Sequence, residues 1–166
     1  VMRNEENRRN LWDAIVKGMI DTIGSDHCPY TLEEKERGKD DIWKAPNGLP
    51  GLETLLPVLL NGVNKGLISL EKVVEITSAN PAKIYGLAPA KGEIKPGSDA
   101  DLTIVDMQKE QKYDAEIGPS KCSWSPYDDM TFTGWPVMTV VRGEIVAAQG
   151  KVMVKPGYGT YIPRQC

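Results

Sequence analysis

Ile20-Asp21-Thr22-Ile23-Gly24-Ser25-Asp26-His27-Cys28-Pro29 is the stretch on which the reading of this chain turns. A short apolar run rich in β-branched residues ends in a carboxylate, the only histidine of the chain and a cysteine. A buried parallel strand whose carboxyl end opens into an active site carries this pattern. The expectation is a strand over 20–24 with Asp26 at its mouth.

The flanks agree with that reading. Ahead of the stretch, Leu11, Trp12, Ala14, Ile15 and Met19 recur at helical spacing, so a helix is predicted over 4–19. Helix, short turn and buried strand make the αβ step of a parallel α/β fold. Behind it, residues 31–41 form a charged run, expected as an exposed loop or short helix. Ala45-Pro46-Asn47-Gly48-Leu49-Pro50-Gly51 is dense in residues that fix backbone dihedrals, so it reads as a turn. An apolar helix is predicted over 52–63 despite Pro57, and Ser69 is the expected cap of the next one, which Asn80-Pro81 should interrupt. After residue 90 the pattern turns to strands: 92–94 and 100–106 joined at Pro96-Gly97, then a hairpin over 138–147 turning at Arg142-Gly143.

Composition narrows the function classes. A net charge of −3 over 166 residues leaves no basic footprint for nucleic acid. No apolar run approaches the roughly 18 residues of a membrane span, and no secretory leader is read. Cys28, Cys122 and Cys166 are odd in number and widely spaced, which argues for a reducing, cytoplasmic setting over a disulfide framework. Val1 is no initiator methionine, and a helix is expected to begin within three residues of it. The sequence therefore reads as part of something longer.

Asp26 is the foremost candidate for chemistry. A carboxylate just past a buried strand can ligate a metal or act as a general base towards bound water. It can also simply cap the turn that follows. His27 stands alone and reads as a structural or supporting histidine, and Cys28 as a buried thiol without a second histidine to activate it. The turn at Pro46-Asn47-Gly48 could offer backbone N–H and C=O groups to a planar amide, or be a plain loop. Asp99 and Asp101 alternate at a strand start, so their carboxylates should diverge and serve structure. Trp124, Tyr127 and Trp135 are read as packing.

Four ordered motifs then carry a resemblance. Asp21-Thr-Ile-Gly-Ser-Asp26-His27, Ala45-Pro-Asn-Gly-Leu-Pro-Gly-Leu-Glu53, Asn80-Pro-Ala-Lys-Ile-Tyr-Gly-Leu87 and Lys91-Gly-Glu-Ile-Lys-Pro-Gly-Ser-Asp-Ala-Asp101-Leu together resemble the cyclic amidohydrolases: dihydroorotases, hydantoinases (dihydropyrimidinases) and allantoinases. The resemblance implies an α/β fold, the C-terminal part of a metal-dependent (β/α)8 TIM-type barrel plus strands of a small composite β-sandwich. Residues 1–90 would supply the last barrel strand and its helices, and residues 91–166 the sandwich strands and tail. It implies that Asp26 binds a divalent metal, Zn2+ as first expectation and one or two ions, and shuttles the proton during ring opening. Pro46, Asn47 and Gly48 would contact a small cyclic amide or imide. Tyr30 stands where dihydroorotases commonly carry a substrate-binding histidine, and His27 would support the metal ligands from behind.

The family's metal centre also needs a His-x-His pair, a carboxylated lysine and two further histidines, whereas this chain has one histidine, at none of those positions. The chain alone is therefore expected to be inactive, the complete enzyme to be a hydrolase that self-associates. Dihydroorotase-like hydrolysis of a ring C–N bond is the leading expectation. Hydantoinase or allantoinase specificity, or a non-catalytic scaffold, are the alternatives.

Overall fold

The computed structural model describes residues 4–164. Cys166 and the first three residues lie outside them. The helical elements come first: α1 (Glu5–Val16), α2 (Leu32–Glu36), α3 (Leu55–Asn64), α4 (Leu70–Val74) and α5 (Asn80–Ile84). Four strands follow, β1 (Leu102–Lys112), β2 (Thr131–Val141), β3 (Glu144–Ala148) and β4 (Lys151–Val152), in one antiparallel sheet of order β1-β2-β3-β4.

Local chemistry explains most boundaries. Asn4 caps α1 by accepting the Asn7 N–H at 2.9 Å. The helix stops at Val16, short of the expected Met19, because Gly18 takes a left-handed φ of 70°. The N–H groups of Gly18 and Met19 then return to the Ile15 and Ala14 carbonyls, which closes the last turn. In α2, Thr31 and Glu34 cap each other reciprocally. Pro57 is harmless in the first turn of α3, where its missing N–H has no helical partner. Ser69 accepts the Lys72 N–H at 3.1 Å, as expected.

Asn80-Pro81 does not break its helix. A π turn over Glu75–Ala79 joins α4 to α5, with the Asn80 N–H on the Glu75 carbonyl. The extra residue in that turn shifts the carbonyls that would otherwise press on the Pro81 ring.

Two further expectations need correction. Residues 20–24 form no strand, and Ile20 and Ile23 are half-buried. A strand needs a neighbour to complete its ladder, and among the described residues none lies beside it. Helical groups serve this backbone instead: the Ile23 N–H reaches the Ile76 carbonyl at 3.4 Å, and Asn80 Nδ2 donates to the Asp21 carbonyl at 3.0 Å. Likewise no strand forms over 92–94. That segment is a loop closed by the Asp99 N–H on the Ala90 carbonyl and by the Lys91 ammonium.

Asp99 and Asp101 precede β1 and do not diverge. The Asp101 N–H donates to the Asp99 carbonyl at 2.8 Å, and this tight turn brings both carboxylates onto Lys91 Nζ. Asp101 also accepts the Arg142 N–H at 2.7 Å. It thereby fixes the β2–β3 turn, where Arg142 and Gly143 both have positive φ as a two-residue hairpin requires. Their role is structural, as read, but by convergence.

Helix α3 joins the two halves. Leu59 packs in a cluster with Ile15, Ile68, Val73 and Ile76, against which Ile20 and Ile23 rest. Val58 meets a second cluster of Tyr113, Phe132 and Trp135. At the end of α3, Asn64 Nδ2 donates to the carbonyls of Met107 (3.0 Å) and Thr133 (2.9 Å), where the β1–β2 register is irregular.

Candidate active site

Beyond Gly24 the chain turns sharply. Asp26 has φ 45°, a left-handed conformation that Asp tolerates better than most residues. Its side chain is exposed and makes no ion pair among the described residues. It borders a cleft of about 630 Å³ whose other walls include Asn47, Gly48, the start of α3, Pro126 and Tyr127.

The loop opposite Asp26 is tied to the same segment. His27 and Leu49 form a parallel bridge, with the Cys28 N–H on the Leu49 carbonyl at 3.1 Å. His27 Nδ1 accepts the N–H groups of Gly51 and Leu52, each at 3.1 Å. That contact needs a lone pair on Nδ1, so the hydrogen-bond pattern assigns the ring proton of the neutral imidazole to Nε2. His27 is thus a tether between the Asp26 segment and the loop before α3. Gly48 cannot be replaced by a larger residue here: its φ is 126°, and a Cβ would lie 2.5 Å from Cys28 Cβ and 2.6 Å from the Cys28 carbonyl oxygen.

The sequence reading missed Lys35. Its ammonium donates to the carbonyls of Pro46 (2.6 Å) and Gly48 (2.5 Å), and lies over the rings of Tyr30 and Trp124 at 5.5 and 6.0 Å. Its place in a charged run, eleven residues before Pro46, gives no local signal of this contact. Trp124 therefore does more than pack, since its indole N–H also donates to the Tyr30 carbonyl at 2.6 Å.

Pro46 and Tyr30 do not line the cleft. Tyr30 stands behind the loop with Lys35, and the adjoining Cys28, by the negative charge its sulfur carries when ionised and by a hydrogen bond, pushes the phenol above its ordinary range. Cys28 is half-buried, not buried, with Sγ 3.6 Å from the Asn47 carbonyl. Glu53, which follows the loop, accepts from the Tyr113 hydroxyl (2.9 Å) and the Ser120 N–H (3.1 Å), bracing the start of α3 against the second half. Burial first, and then that carboxylate, raise the Tyr113 phenol well above its usual range.

Asp26 is a ligand type that a divalent ion accepts, but His27 Nδ1 is committed to backbone donors. Among the described residues no three His, Cys, Asp or Glu side chains gather as a metal would require. The residues present do not make a metal site by themselves. Among the same residues no helix is long and apolar enough to cross a membrane.

Comparison with known proteins places this architecture. Over 165 residues the chain is 48% identical to an L-hydantoinase of Paenarthrobacter aurescens, covering 99% of this chain and 36% of that protein. It is 44% identical over 155 residues to a dihydroorotase of Pyrococcus furiosus, covering 93% of this chain and 35% of the relative. The solved L-hydantoinase (dihydropyrimidinase) from Arthrobacter aurescens superposes on 98% of this chain and 36% of its own, with a TM-score of 0.92 at 48% identity. The chain thus spans about a third of the length of the relatives it matches, and carries the α/β fold of the corresponding part of a hydantoinase. The sequence profile of the amidohydrolase family matches residues 1–146, and on that match and these likenesses the chain belongs to the amidohydrolase family.

Proposed function

We propose that these residues form the part of a cyclic amide hydrolase, of hydantoinase (dihydropyrimidinase) type, that carries its proton-transfer carboxylate and one wall of its substrate pocket. The observation that carries the reading is the position of Asp26 and the Asn47-Gly48 turn on one cleft, held together by His27. The 48% likeness to a protein named L-hydantoinase supports this substrate class above the dihydroorotase-like one. The 44% likeness to a dihydroorotase keeps that second reading in view. Against it stands Tyr30, which replaces the expected histidine and packs on Lys35 away from the cleft.

In ring opening, Asp26 Oδ takes a proton from the attacking water and returns it to the departing ring nitrogen as the C–N bond breaks. The Asn47 and Gly48 N–H groups, which have no protein acceptor among the described residues, face a ring carbonyl oxygen. A divalent metal, Zn2+ by expectation, would supply carbonyl polarisation in a polypeptide of the relatives' length. Of the ligands it needs, this chain offers Asp26. The same reading assigns 1–90 to the end of a barrel and 91–166 to sandwich strands, and includes self-association of the whole enzyme.

The test is a ring-opening assay on a polypeptide of the relatives' full length that carries these residues. Hydantoins, dihydrouracil, dihydroorotate and allantoin are offered side by side. Hydantoin or dihydrouracil turnover that disappears in Asp26→Asn supports the proposal. Turnover of dihydroorotate or allantoin alone moves the assignment to that substrate, and no turnover of any favours a scaffold.

A further inference from the structure

We infer that Lys35 is a positioning residue that orients the Asn47 N–H of the Asn47-Gly48 turn, and so sets recognition of a carbonyl oxygen on the ligand. The inference rests on the proposed binding role of that turn. It starts from peptide geometry. In a planar trans peptide the carbonyl and the following N–H point in opposite directions. Lys35 Nζ holds the Pro46 and Gly48 carbonyls, and Cys28 Sγ holds the Asn47 carbonyl between them.

The Pro46 and Gly48 carbonyls are therefore drawn towards Lys35, while the Asn47 carbonyl between them turns to Cys28. The Asn47 N–H, opposite the Pro46 carbonyl, is thereby turned away from Lys35, and Asn47 lines the cleft. Nothing in the loop supplies the inward pull, since it contains no cation of its own.

Lys35 is suited to the task because it is caged. The rings of Tyr30 and Trp124 flank the ammonium, an arrangement that holds a cation without competing for its protons. No carboxylate pairs with Lys35 among the described residues, so its donors stay available to the loop. The consequence is selectivity for an acceptor. With its carbonyls engaged, the turn recognises a ligand C=O through the Asn47 N–H.

The experiment uses the full-length polypeptide with Lys35→Met, which keeps the stem and removes the charge, and Lys35→Arg, which keeps two donors. Amide hydrogen exchange of the peptide covering 45–51 is read first, without substrate. In Lys35→Met it should quicken about tenfold or more, the scale of losing a charged hydrogen bond, while Lys35→Arg stays near wild type. With a turned-over hydantoin, KM should rise about tenfold in Lys35→Met and kcat change far less, since ground-state contacts are lost. Unchanged exchange in Lys35→Met overturns the inference, whatever the activity. So does an equal loss in both variants accompanied by a fall in Tm, which marks a purely structural role. If the wild type opens no ring, the proposed function fails and exchange still decides the part of Lys35.

Discussion

His27 Nδ1 accepts the backbone N–H of Gly51 across 24 residues of chain, at 3.1 Å. This one contact, doubled by Leu52, fastens the loop before α3 to the residue beside Asp26. The imidazole acts through its lone pair, so the role belongs to an acceptor and not to a base.

Replacement tests that distinction. Asn places its Oδ1 close to where His has Nδ1 and can accept the same two N–H groups, whereas Ala cannot. His27→Ala should cost about 1–2 kcal/mol, the scale of a lost hydrogen bond with partial rehydration of the donors. His27→Asn should recover much of it. Urea unfolding of the full-length polypeptide measures both, and equal losses in the two variants would show that ring packing, not acceptance, is what matters.

Asp26→Asn separates charge from conformation. Asn tolerates the left-handed φ of 45° as well as Asp does, so Tm should stay within a degree or so of wild type. Ring-opening turnover should fall about 10²–10⁴-fold, the usual contribution of a positioned acid–base group. Retained turnover would remove Asp26 from the chemistry.

The site was only partly legible in the sequence, and the reason lies in how each part is built. Of the proposed site residues, Asp26 stands out as a carboxylate just past an apolar run, and Asn47 and Gly48 as members of a turn dense in Pro and Gly. Lys35 does not, because a lysine in a charged run looks solvated and its partners are carbonyls, which any residue supplies. Residues 20–24 read as a strand because their side-chain pattern is right, yet pairing belongs to neighbours that a local pattern does not contain. The cap at Ser69 is legible, since the capping hydroxyl and its N–H donor lie three residues apart. Asp99 and Asp101 misled for a related reason: alternation predicts divergence only inside a strand, and both precede it.

The Lys91 cluster predicts a pH profile. Burial opposes charge on both partners, but the hydrogen bonds and charges they exchange win: Lys91 is raised and Asp101 lowered from their ordinary ranges. The lowered carboxyl stabilises the fold above about pH 4 and loses that contribution as pH falls through its folded value. The raised ammonium contributes below about pH 10 and loses its share as pH rises through its own. Lys91→Met should therefore cost about 1–2 kcal/mol near neutrality, discounted because Asp99 and Asp101 are partly solvated. Its deficit against wild type should shrink at both extremes in denaturant unfolding. A deficit that stays constant with pH would assign the loss to packing of the lysine stem.

Gly48→Ala asks whether the loop can move and still work. The φ of 126° is strained for any L side chain, at about 1–3 kcal/mol. The new Cβ also meets Cys28 Cβ at 2.5 Å and Cys28 O at 2.6 Å. Trimming the cysteine side chain cannot relieve the second contact, because the carbonyl belongs to the backbone. The loop must then lift, and the Cys28 N–H to Leu49 bond and the Lys35 contacts open together. Gly48→Ala should lower stability by about 2–4 kcal/mol and raise KM well beyond the effect of Lys35→Met alone. Adding Cys28→Gly should restore little of either. Full rescue by that second change would show that side-chain crowding, and not backbone contact, fixes the turn against the Asp26 segment.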